Sequence, residues 1–147
     1  MIKRTIPELL GSRPIPSVRP DIAVSEACAV LTDLDIGAAV VMEGDRLVGI
    51  LSERDVIRKC ICRGRLTAET KVAEIMTAEL KTVSIDDPVA TALAVMLDGG
   101  FRHVPVMQNG RIAGLLSMRD IPAENRVLVE RFREYTEVRA AGHTEDA

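Results

Sequence analysis

Apolar residues recur at intervals of three and four in two stretches of the chain. The first stretch contains Val24, Ala27, Cys28, Leu31 and Leu34, and the second contains Val89, Ala92, Leu93, Met96 and Leu97. This spacing places apolar side chains on one face and predicts two helices that each bury a single stripe. Pro88 suits the first turn of the second helix, where Asp87 is the expected N-cap.

Each predicted helix is followed by two short apolar runs that are separated by a turn. The runs cover residues 38–42 and 46–51 in the first half, and residues 104–107 and 111–116 in the second. Asn109-Gly110 in the second turn is a strong signal for a tight hairpin. A short β-prone stretch precedes each helix, at Ser17-Val18 and at Thr82-Val83. The pattern in each half therefore predicts a strand, a helix and two further strands, in that order.

The two halves are copies of one another. A shift of 65 residues gives fourteen identities over the 35 positions from Asp21 to Asp55, without a gap. A further helix is expected after Ser52, whereas its counterpart after Ser117 meets Pro122 within about one turn. Two copies are too few for a solenoid, so the sequence favours a closed, pseudo-symmetric pair.

The predicted fold class is α/β, of the α+β type, with two β-α-β-β-α repeats in one compact module. Repeat one is assigned to residues 6–62 and repeat two to residues 72–121, joined by a polar linker at residues 63–71. Residues 122–139 are expected to form a C-terminal helix with Val127, Leu128, Phe132 and Tyr135 along one side. Residues 140–147 are expected to be a flexible tail.

Composition narrows the classes of function. Hydrophobic residues make up 47% of the 147 positions, which is enough for a buried core. A formal net charge of −3 and three aromatic residues argue against a nucleic-acid-binding surface. The longest uncharged apolar run, residues 36–42, is too short to cross a bilayer, and no apolar run of signal-peptide length follows the first residues. We therefore expect a cytoplasmic protein with neither a membrane nor a nucleic acid as its partner.

The sequence offers no recognisable catalytic set. It contains no Walker loop, and no Ser-His-Asp or Cys-His pairing is suggested. Two histidines and three cysteines without zinc-site spacing argue against a closed metal site. We expect no enzyme, no catalytic cofactor and no bound metal.

One seven-residue motif occurs twice, as GILSERD at residues 49–55 and as GLLSMRD at residues 114–120. Ser-x-x-Asp directly after a strand is a helix-capping arrangement. The N-terminus of a helix is also a binding site for phosphate, and an Asp carboxylate can accept hydrogen bonds from both hydroxyls of a ribose. Gly49 and Gly114 would permit close approach of the backbone to such a ligand. The motif alone leaves capping and ligand binding open.

The whole arrangement resembles a pair of CBS domains, often called a Bateman module. The resemblance is carried by the repeat order, by Ile75-Met76-Thr77, by the segment RHVPV at residues 102–106 and by Gly-h-h-Ser-x-x-Asp at the end of each repeat. It covers residues 6–121. It implies two repeats related by a pseudo-twofold axis and two clefts that bind AMP, ADP, ATP, NAD or S-adenosylmethionine. It also implies that the Ser-x-x-Asp of one repeat is completed by the strand edge of the other.

Carried over by position, the resemblance implies two unequal clefts. The Asp55 cleft would combine Ile50, Ser52 and Asp55 with Phe101, Arg102 and His103. In it Asp55 would hold the ribose, Ile50 would contact the adenine, and Arg102 with His103 would face the phosphates. The Asp120 cleft would combine Leu115, Ser117 and Asp120 with Ile36, Gly37 and Ala38. Since Gly37 and Ala38 stand where repeat two has Arg102 and His103, this second cleft has fewer partners for phosphate.

Two arginines in the repeated motif, Arg54 and Arg119, are either solvated helix residues or secondary phosphate ligands. The resemblance implies a free-standing adenine-nucleotide sensor that changes its shape or its assembly on binding. It also implies a homodimer that signals to a downstream protein whose identity the sequence does not give. The alternative is an interaction module or scaffold whose clefts have lost their ligands.

Overall fold

The structure of the chain is a computed structural model that describes residues 5–127. The helices of this part are α1 (Ile6–Leu10), α2 (Val24–Asp33), α3 (Glu53–Asp55), α4 (Val72–Ile75) and α5 (Val89–Gly99). The strands are β1 (Ser17–Val18), β2 (Ala38–Glu43), β3 (Arg46–Ser52), β4 (Val83–Ser84), β5 (His103–Gln108) and β6 (Arg111–Ser117). Residues 123–127 are also helical. The remainder of the helix expected at residues 122–139, and the tail expected at residues 140–147, lie outside the described residues.

The segments that follow the two Ser-x-x-Asp motifs differ, as their sequences predict. α3 continues through a π-helical turn at Val56–Cys60 and a 3₁₀ turn at Ile61–Arg63. After β6 the chain makes only a 3₁₀ turn at Met118–Asp120 before it reaches Pro122. The proline ring cannot continue the helical hydrogen-bond pattern, so the second segment is shorter.

The strands form two three-stranded sheets, β1-β2-β3 and β4-β5-β6. In each sheet the first two strands are parallel and the last two are antiparallel. The hairpin registers are identical after the shift of 65, since Ala38 pairs with Ser52 as His103 pairs with Ser117. Even the register shift in each hairpin recurs, after Val41 and after Val106. The mixed α+β fold with two matching halves is thereby confirmed.

Local signals in repeat two are confirmed at the hairpin but wrong at the start of α5. Asn109 and Gly110 have φ angles of 53° and 77°, as a tight hairpin of this kind requires. The N-cap of α5, however, is Pro88, which forms no side-chain cap. The predicted cap, Asp87, instead accepts a hydrogen bond from the backbone N–H of Ser84 at 2.8 Å. The carboxylate thus closes the turn that leads out of β4.

Three clusters of apolar side chains hold the module together. One cluster lies under α5 in repeat two and another under α2 in repeat one. The third lies between the two sheets and contains Ala38, Val40, Ile50 and Leu115. Burial of this third cluster joins the sheets face to face, and it forms the floor of the cleft described below.

The two short lead helices cross between the repeats. α1 is the first helix of repeat one but packs into the core of repeat two, where Ile6 is fully buried. α4 is the first helix of repeat two but packs into the core of repeat one, where Val72 is fully buried. Each repeat therefore depends on a helix that the other end of the module supplies.

The two motif glycines serve this crossing. A Cβ on Gly49 would lie 2.7 Å from Sδ of Met76, and a Cβ on Gly114 would lie 2.8 Å from Cδ1 of Leu10. Close approach of the protein backbone to a ligand was the expected reason for these glycines. The structure gives a different one, because each glycine makes room for the side chain at the end of a lead helix.

Candidate functional site

A cleft of about 1050 Å³ lies between the repeats, beside the ends of β3 and β6. All fourteen predicted site residues line it: Ile36, Gly37, Ala38, Ile50, Ser52, Arg54, Asp55, Phe101, Arg102, His103, Leu115, Ser117, Arg119 and Asp120. The Asp55 cleft and the Asp120 cleft are therefore two ends of one continuous space.

At one end, Asp55 is held by groups from both halves of the chain. Its Oδ2 accepts from the backbone N–H of Ser52 at 3.0 Å and from the Ser52 hydroxyl at 3.1 Å. Its Oδ1 accepts from the Thr77 hydroxyl at 3.1 Å and lies 3.0 Å from Nζ of Lys59. Asp55 is only 7% exposed. The predicted capping box is present, and it is part of a larger network around one buried carboxylate.

At the other end, Asp120 is held by an arginine from the N-terminal segment. Arg13 donates through NH1 to Oδ1 at 2.9 Å and through NH2 to Oδ2 at 2.6 Å. The same NH2 lies 3.4 Å from the carbonyl oxygen of Leu115. The backbone N–H of Ser117 donates to Oδ2 of Asp120 at 2.8 Å. Both oxygens of this carboxylate are thus engaged, in a bidentate pair that favours the charged form.

Burial of Asp120 by itself raises the pKa of the carboxyl, but the hydrogen bonds from Arg13 and Ser117 outweigh it. The net result is a pKa below the ordinary value of 3.8. The carboxylate is therefore charged throughout the physiological range, and it keeps its charge into mild acid.

The different cations at the two ends follow from the repeat alignment. Lys59 reaches Asp55 from four residues further along the same helical segment. The residue 65 positions after Lys59 is Glu124, which has the opposite charge. Repeat two has no local cation at this position, and Arg13 supplies one from across the module.

The two repeats also meet at the middle of the cleft. NH1 of Arg54 donates to the carbonyl oxygen of Gly100 at 3.1 Å, which ties the start of α3 to the loop before β5. A Cβ on Gly37 would lie 3.5 Å from Cε1 of His103, in ordinary contact. The predicted juxtaposition of the first motif with the loop of the second repeat is therefore present.

His103 is a half-buried ring in a positively charged setting. Burial lowers its pKa, and Arg102, Arg119 and Arg54 lower it further, although the charge of Asp120 acts in the opposite direction. The imidazole is consequently neutral at pH 7. It can offer a phosphate one N–H donor, but it does not offer a positive charge.

The cleft carries more positive than negative side chains, although the chain as a whole is acidic. Its lining includes seven Lys and Arg residues against five Asp and Glu residues. Arg102 and Arg119 are exposed and form no ion pair within residues 5–127. These two guanidinium groups are free to bind an anion, which makes the cleft suited to a negatively charged ligand.

Three residues that contact the carboxylates were not predicted from the sequence as site residues: Arg13, Lys59 and Thr77. Thr77 lay within the Ile75-Met76-Thr77 segment that carried the family resemblance, but the motif did not indicate which residue it contacts. Lys59 could have been found from its i+4 spacing to Asp55. Arg13 carries no local signal, because its partner lies 107 residues away along the chain.

The described residues contain neither a cluster of metal ligands nor a membrane-spanning helix. Within residues 5–127 no group of three or more His, Cys, Asp and Glu side chains is placed to hold a metal ion. The same part of the chain has no helix of the length and apolarity needed to span a membrane.

Sequence comparison relates both halves of the chain to one family. A family model described as the CBS domain matches residues 8–61 and residues 72–122. A mitochondrial CBS domain-containing protein of Arabidopsis thaliana is 38% identical over 119 residues, or 78% of this chain and 56% of that protein. An uncharacterized 17.7 kDa protein of Acidianus ambivalens is 35% identical over 106 residues, or 71% of this chain and 63% of that protein. The chain thus spans less than two thirds of the length of either relative.

Solved structures give the same relationship. A CBS domain protein from Pyrobaculum aerophilum, complexed with AMP, superposes with a TM-score of 0.75 and 30% identity, covering 86% of this chain and 97% of that one. A CBS-domain containing protein from Agrobacterium tumefaciens superposes with a TM-score of 0.69 and 31% identity, covering 82% and 90% of the two chains.

Proposed function

The chain belongs to the CBS domain family, with one domain in each half, and on that premise we propose that it is a regulatory module for an adenosine-containing ligand. The ligand class is AMP, ADP, ATP or an NAD-type dinucleotide, bound between the repeats. The observation that carries the proposal is one cleft in which two serine–aspartate pairs lie beside Arg102 and Arg119, which form no ion pair within residues 5–127. The AMP bound to the Pyrobaculum aerophilum protein supports this class of ligand.

In the Asp55 cleft, the proposal assigns the ribose to Asp55 and the adenine to the apolar side chain of Ile50, which is 8% exposed. Arg102 would pair with the phosphate, and His103 would donate a single hydrogen bond. A guanidinium is suited to this role because it binds phosphate in a bidentate manner. The Asp120 cleft would repeat the arrangement with Leu115, but with Gly37 in the position of Arg102.

We propose that binding is transmitted through α3 and its continuation. This segment begins at Ser52 and Asp55, within the cleft, and it presents Ile57 and Ile61 on the outside, 52% and 57% exposed. Apolar side chains of this size are suited to a contact between two modules. A ligand that binds one arrangement of this segment more tightly would shift the association of a homodimer.

A second candidate function, an interaction module without a small ligand, has one observation in its favour. Ser52, Thr77 and Lys59 already satisfy the carboxylate of Asp55, and Arg13 with Ser117 satisfies that of Asp120. In that function the two aspartates would act as caps and ion-pair partners alone. The two candidates differ in whether any adenylate binds.

Titration calorimetry with adenosine, AMP, ADP, ATP, NAD and S-adenosylmethionine separates the two functions. We expect at least one nucleotide to bind, and Asp55→Ala to weaken its tighter site by about 10- to 100-fold, because hydrogen bonds to a charged carboxylate are lost. Arg102→Ala should weaken AMP by about tenfold while leaving adenosine little changed. Light scattering on the same samples reports any change in association.

Matched controls come from the surface outside the cleft. Asp21→Ala removes an exposed aspartate that is paired with Arg19, and Arg46→Ala removes an exposed arginine. Both variants should bind as the unaltered chain does. The absence of binding for every compound would reject the sensor and leave the interaction module.

A further inference from the structure

Residues 11–16, which we call the N-terminal strap, connect α1 to β1 and pass the mouth of the Asp120 cleft. Before the strap, Leu10 is buried against Gly114 of β6. At its last residue, Pro16, the carbonyl oxygen accepts from the backbone N–H of Val40, next to the point where β1 joins its sheet. The strap is therefore fixed at both ends, while Ser12, Arg13 and Pro14 between them are exposed.

Arg13 is the strap residue that enters the cleft, and its hydrogen bonds go to repeat two. It binds Asp120 through two nitrogens, at 2.9 and 2.6 Å, and it lies 3.4 Å from the carbonyl oxygen of Leu115. Leu115 and Asp120 are the residues assigned above to the base and the ribose. The guanidinium thus lies between the two groups that a nucleoside would need.

Arg13 and a ribose would compete for Asp120. Two ribose hydroxyls need both carboxylate oxygens as acceptors, and the guanidinium already donates to both of them from beside the carbonyl oxygen of Leu115. Ser117 occupies a further acceptor position on Oδ2. A sugar and Arg13 are consequently alternatives at this carboxylate.

We propose that Arg13 is a built-in competitor of the ligand at the Asp120 cleft, which opens to a nucleoside when the guanidinium leaves Asp120. The inference rests on the proposed function of the cleft and adds a residue that opposes filling of the Asp120 cleft. At Asp55 the cation, Lys59, contacts Oδ1 alone and lies on the same helical segment, whereas Arg13 holds both oxygens of Asp120 from the strap.

The strength of the Arg13–Asp120 pair determines how far Arg13 lowers the apparent affinity for a ligand at the Asp120 cleft. The Arg13 side chain is 46% exposed and the Asp120 side chain 17%, so the pair is neither fully solvated nor buried. Such a pair holds the closed form at roughly five to one. The apparent affinity for a ligand falls by the fraction of open molecules, so we expect a reduction of about fivefold.

The test measures adenosine, which has no phosphate that Arg13 could attract. Asp55→Ala removes the first site, and in that background adenosine is titrated by calorimetry with and without Arg13→Ala. We expect Arg13→Ala to raise the affinity by about fivefold. The gain should vanish when Asp120→Ala is added, since the ribose then has no carboxylate to bind.

Two further variants control for a general effect on the fold. Arg19→Ala breaks a similar bidentate Arg–Asp pair outside the cleft, with Asp21, and should leave adenosine binding unchanged. Arg13→Lys keeps the charge but contacts the carboxylate through one nitrogen, and should give an intermediate gain. Thermal unfolding of every variant confirms that the binding data come from folded protein.

The outcomes distinguish the inference from the function on which it rests. If AMP binds the unaltered chain but Arg13→Ala leaves adenosine binding at the Asp120 cleft unchanged or weaker, the competitor role is wrong and the sensor remains. If no adenylate binds any variant, the sensor itself is wrong, and the competitor role falls with it.

Discussion

Asp55 and Asp120 occupy the same position in two copies of one motif, yet their surroundings differ. Asp55 is buried in a network with Ser52, Thr77 and Lys59. Asp120 depends on Arg13, which lies far away in sequence. Since neither cation, Lys59 or Arg13, belongs to the motif, the motif fixes the carboxylate and the capping contact but not the charge that faces it.

The ion pair at Asp120 has a consequence for acid stability. Its pKa is lowered in the folded chain, chiefly because the Arg13 and Ser117 hydrogen bonds exceed the opposing effect of burial. Such a group stabilises the fold above its unfolded pKa, and this contribution is lost as the pH falls through the folded pKa. We expect the difference in free energy of unfolding between the unaltered chain and Asp120→Asn to be constant above about pH 5 and to shrink below about pH 4.

Urea unfolding at a series of pH values measures this difference. Asp120→Asn is the matched comparison because it keeps the size and shape of the side chain while removing the charge. A difference that stayed constant from neutral pH to pH 2 would show that the Arg13–Asp120 pair does not form in solution.

At the scale of elements, the packing of the lead helices α1 and α4 explains the two motif glycines, whose role the motif alone misrepresents. Gly49 and Gly114 sit three residues before the motif serines, which suggests a role at the ligand. The packing instead sets Met76 of the α4 end against Gly49 and Leu10 of α1 against Gly114. The two helices can lie this close to the sheets because neither glycine carries a Cβ.

The two glycines differ in how much an added methyl group should cost. At Gly49 the new Cβ would meet Sδ of Met76 at 2.7 Å and the backbone oxygen of Thr77 at 3.0 Å. At Gly114 it would meet the terminal methyl groups of Leu10, at 2.8 and 2.9 Å, which can rotate away. We expect Gly49→Ala to lower the free energy of unfolding by about 1–3 kcal/mol, and Gly114→Ala to lower it by less.

Chemical denaturation of the two variants tests this order. Gly37→Ala is the control, because a Cβ there meets nothing closer than 3.5 Å and its φ is not positive. It should leave the stability unchanged or slightly higher. Equal losses at positions 49 and 114 would contradict the packing of Thr77 and Met76 on β3.

At the scale of the whole molecule, the repeats are interlocked. Each core contains the first helix of the other repeat, and a third apolar cluster joins the sheets. Neither half can lose its tertiary structure without removing a helix from its partner. This arrangement makes the cleft a property of both repeats together, and it gives a ligand there influence over the whole module.

Because α1 and α4 cross between the repeats, a destabilising substitution in α1 should loosen the strands of repeat two. Leu9→Ala removes a side chain from the core under α5, whereas Ile75→Ala removes one from the core under α2. Each should cost about 2–5 kcal/mol in the free energy of unfolding. Hydrogen exchange should accelerate first in β4–β6 for Leu9→Ala and first in β1–β3 for Ile75→Ala.

The two variants are each other's controls in this experiment, since they carry equivalent changes in equivalent helices. If Leu9→Ala loosened β1–β3 before β4–β6, then α1 would belong to the core of its own repeat, and the crossed arrangement would be wrong.

Sequence alone determined a large part of this protein. The shift of 65 residues, the helical stripes and the Asn109-Gly110 turn predicted the order of elements, because these features depend on neighbours within a few residues. The same shift placed Ser52 with Asp55 and Ser117 with Asp120. The resemblance to CBS domains then assigned fourteen candidate residues to two clefts, and in the structure all of them line one continuous cleft. The error at Asp87 was also local, since a carboxylate beside a turn can bond to the turn as readily as to the helix.

Only the tertiary structure decided which distant groups face the two carboxylates. The crossing of α1 and α4 brings Thr77 to Asp55, and it carries the strap with Arg13 to Asp120. No local pattern encodes such a contact, because a hydrogen bond depends on distance in space and the residues it joins can lie anywhere along the chain. Two nearly identical motifs thus became two unequal ends of one cleft when the chain folded.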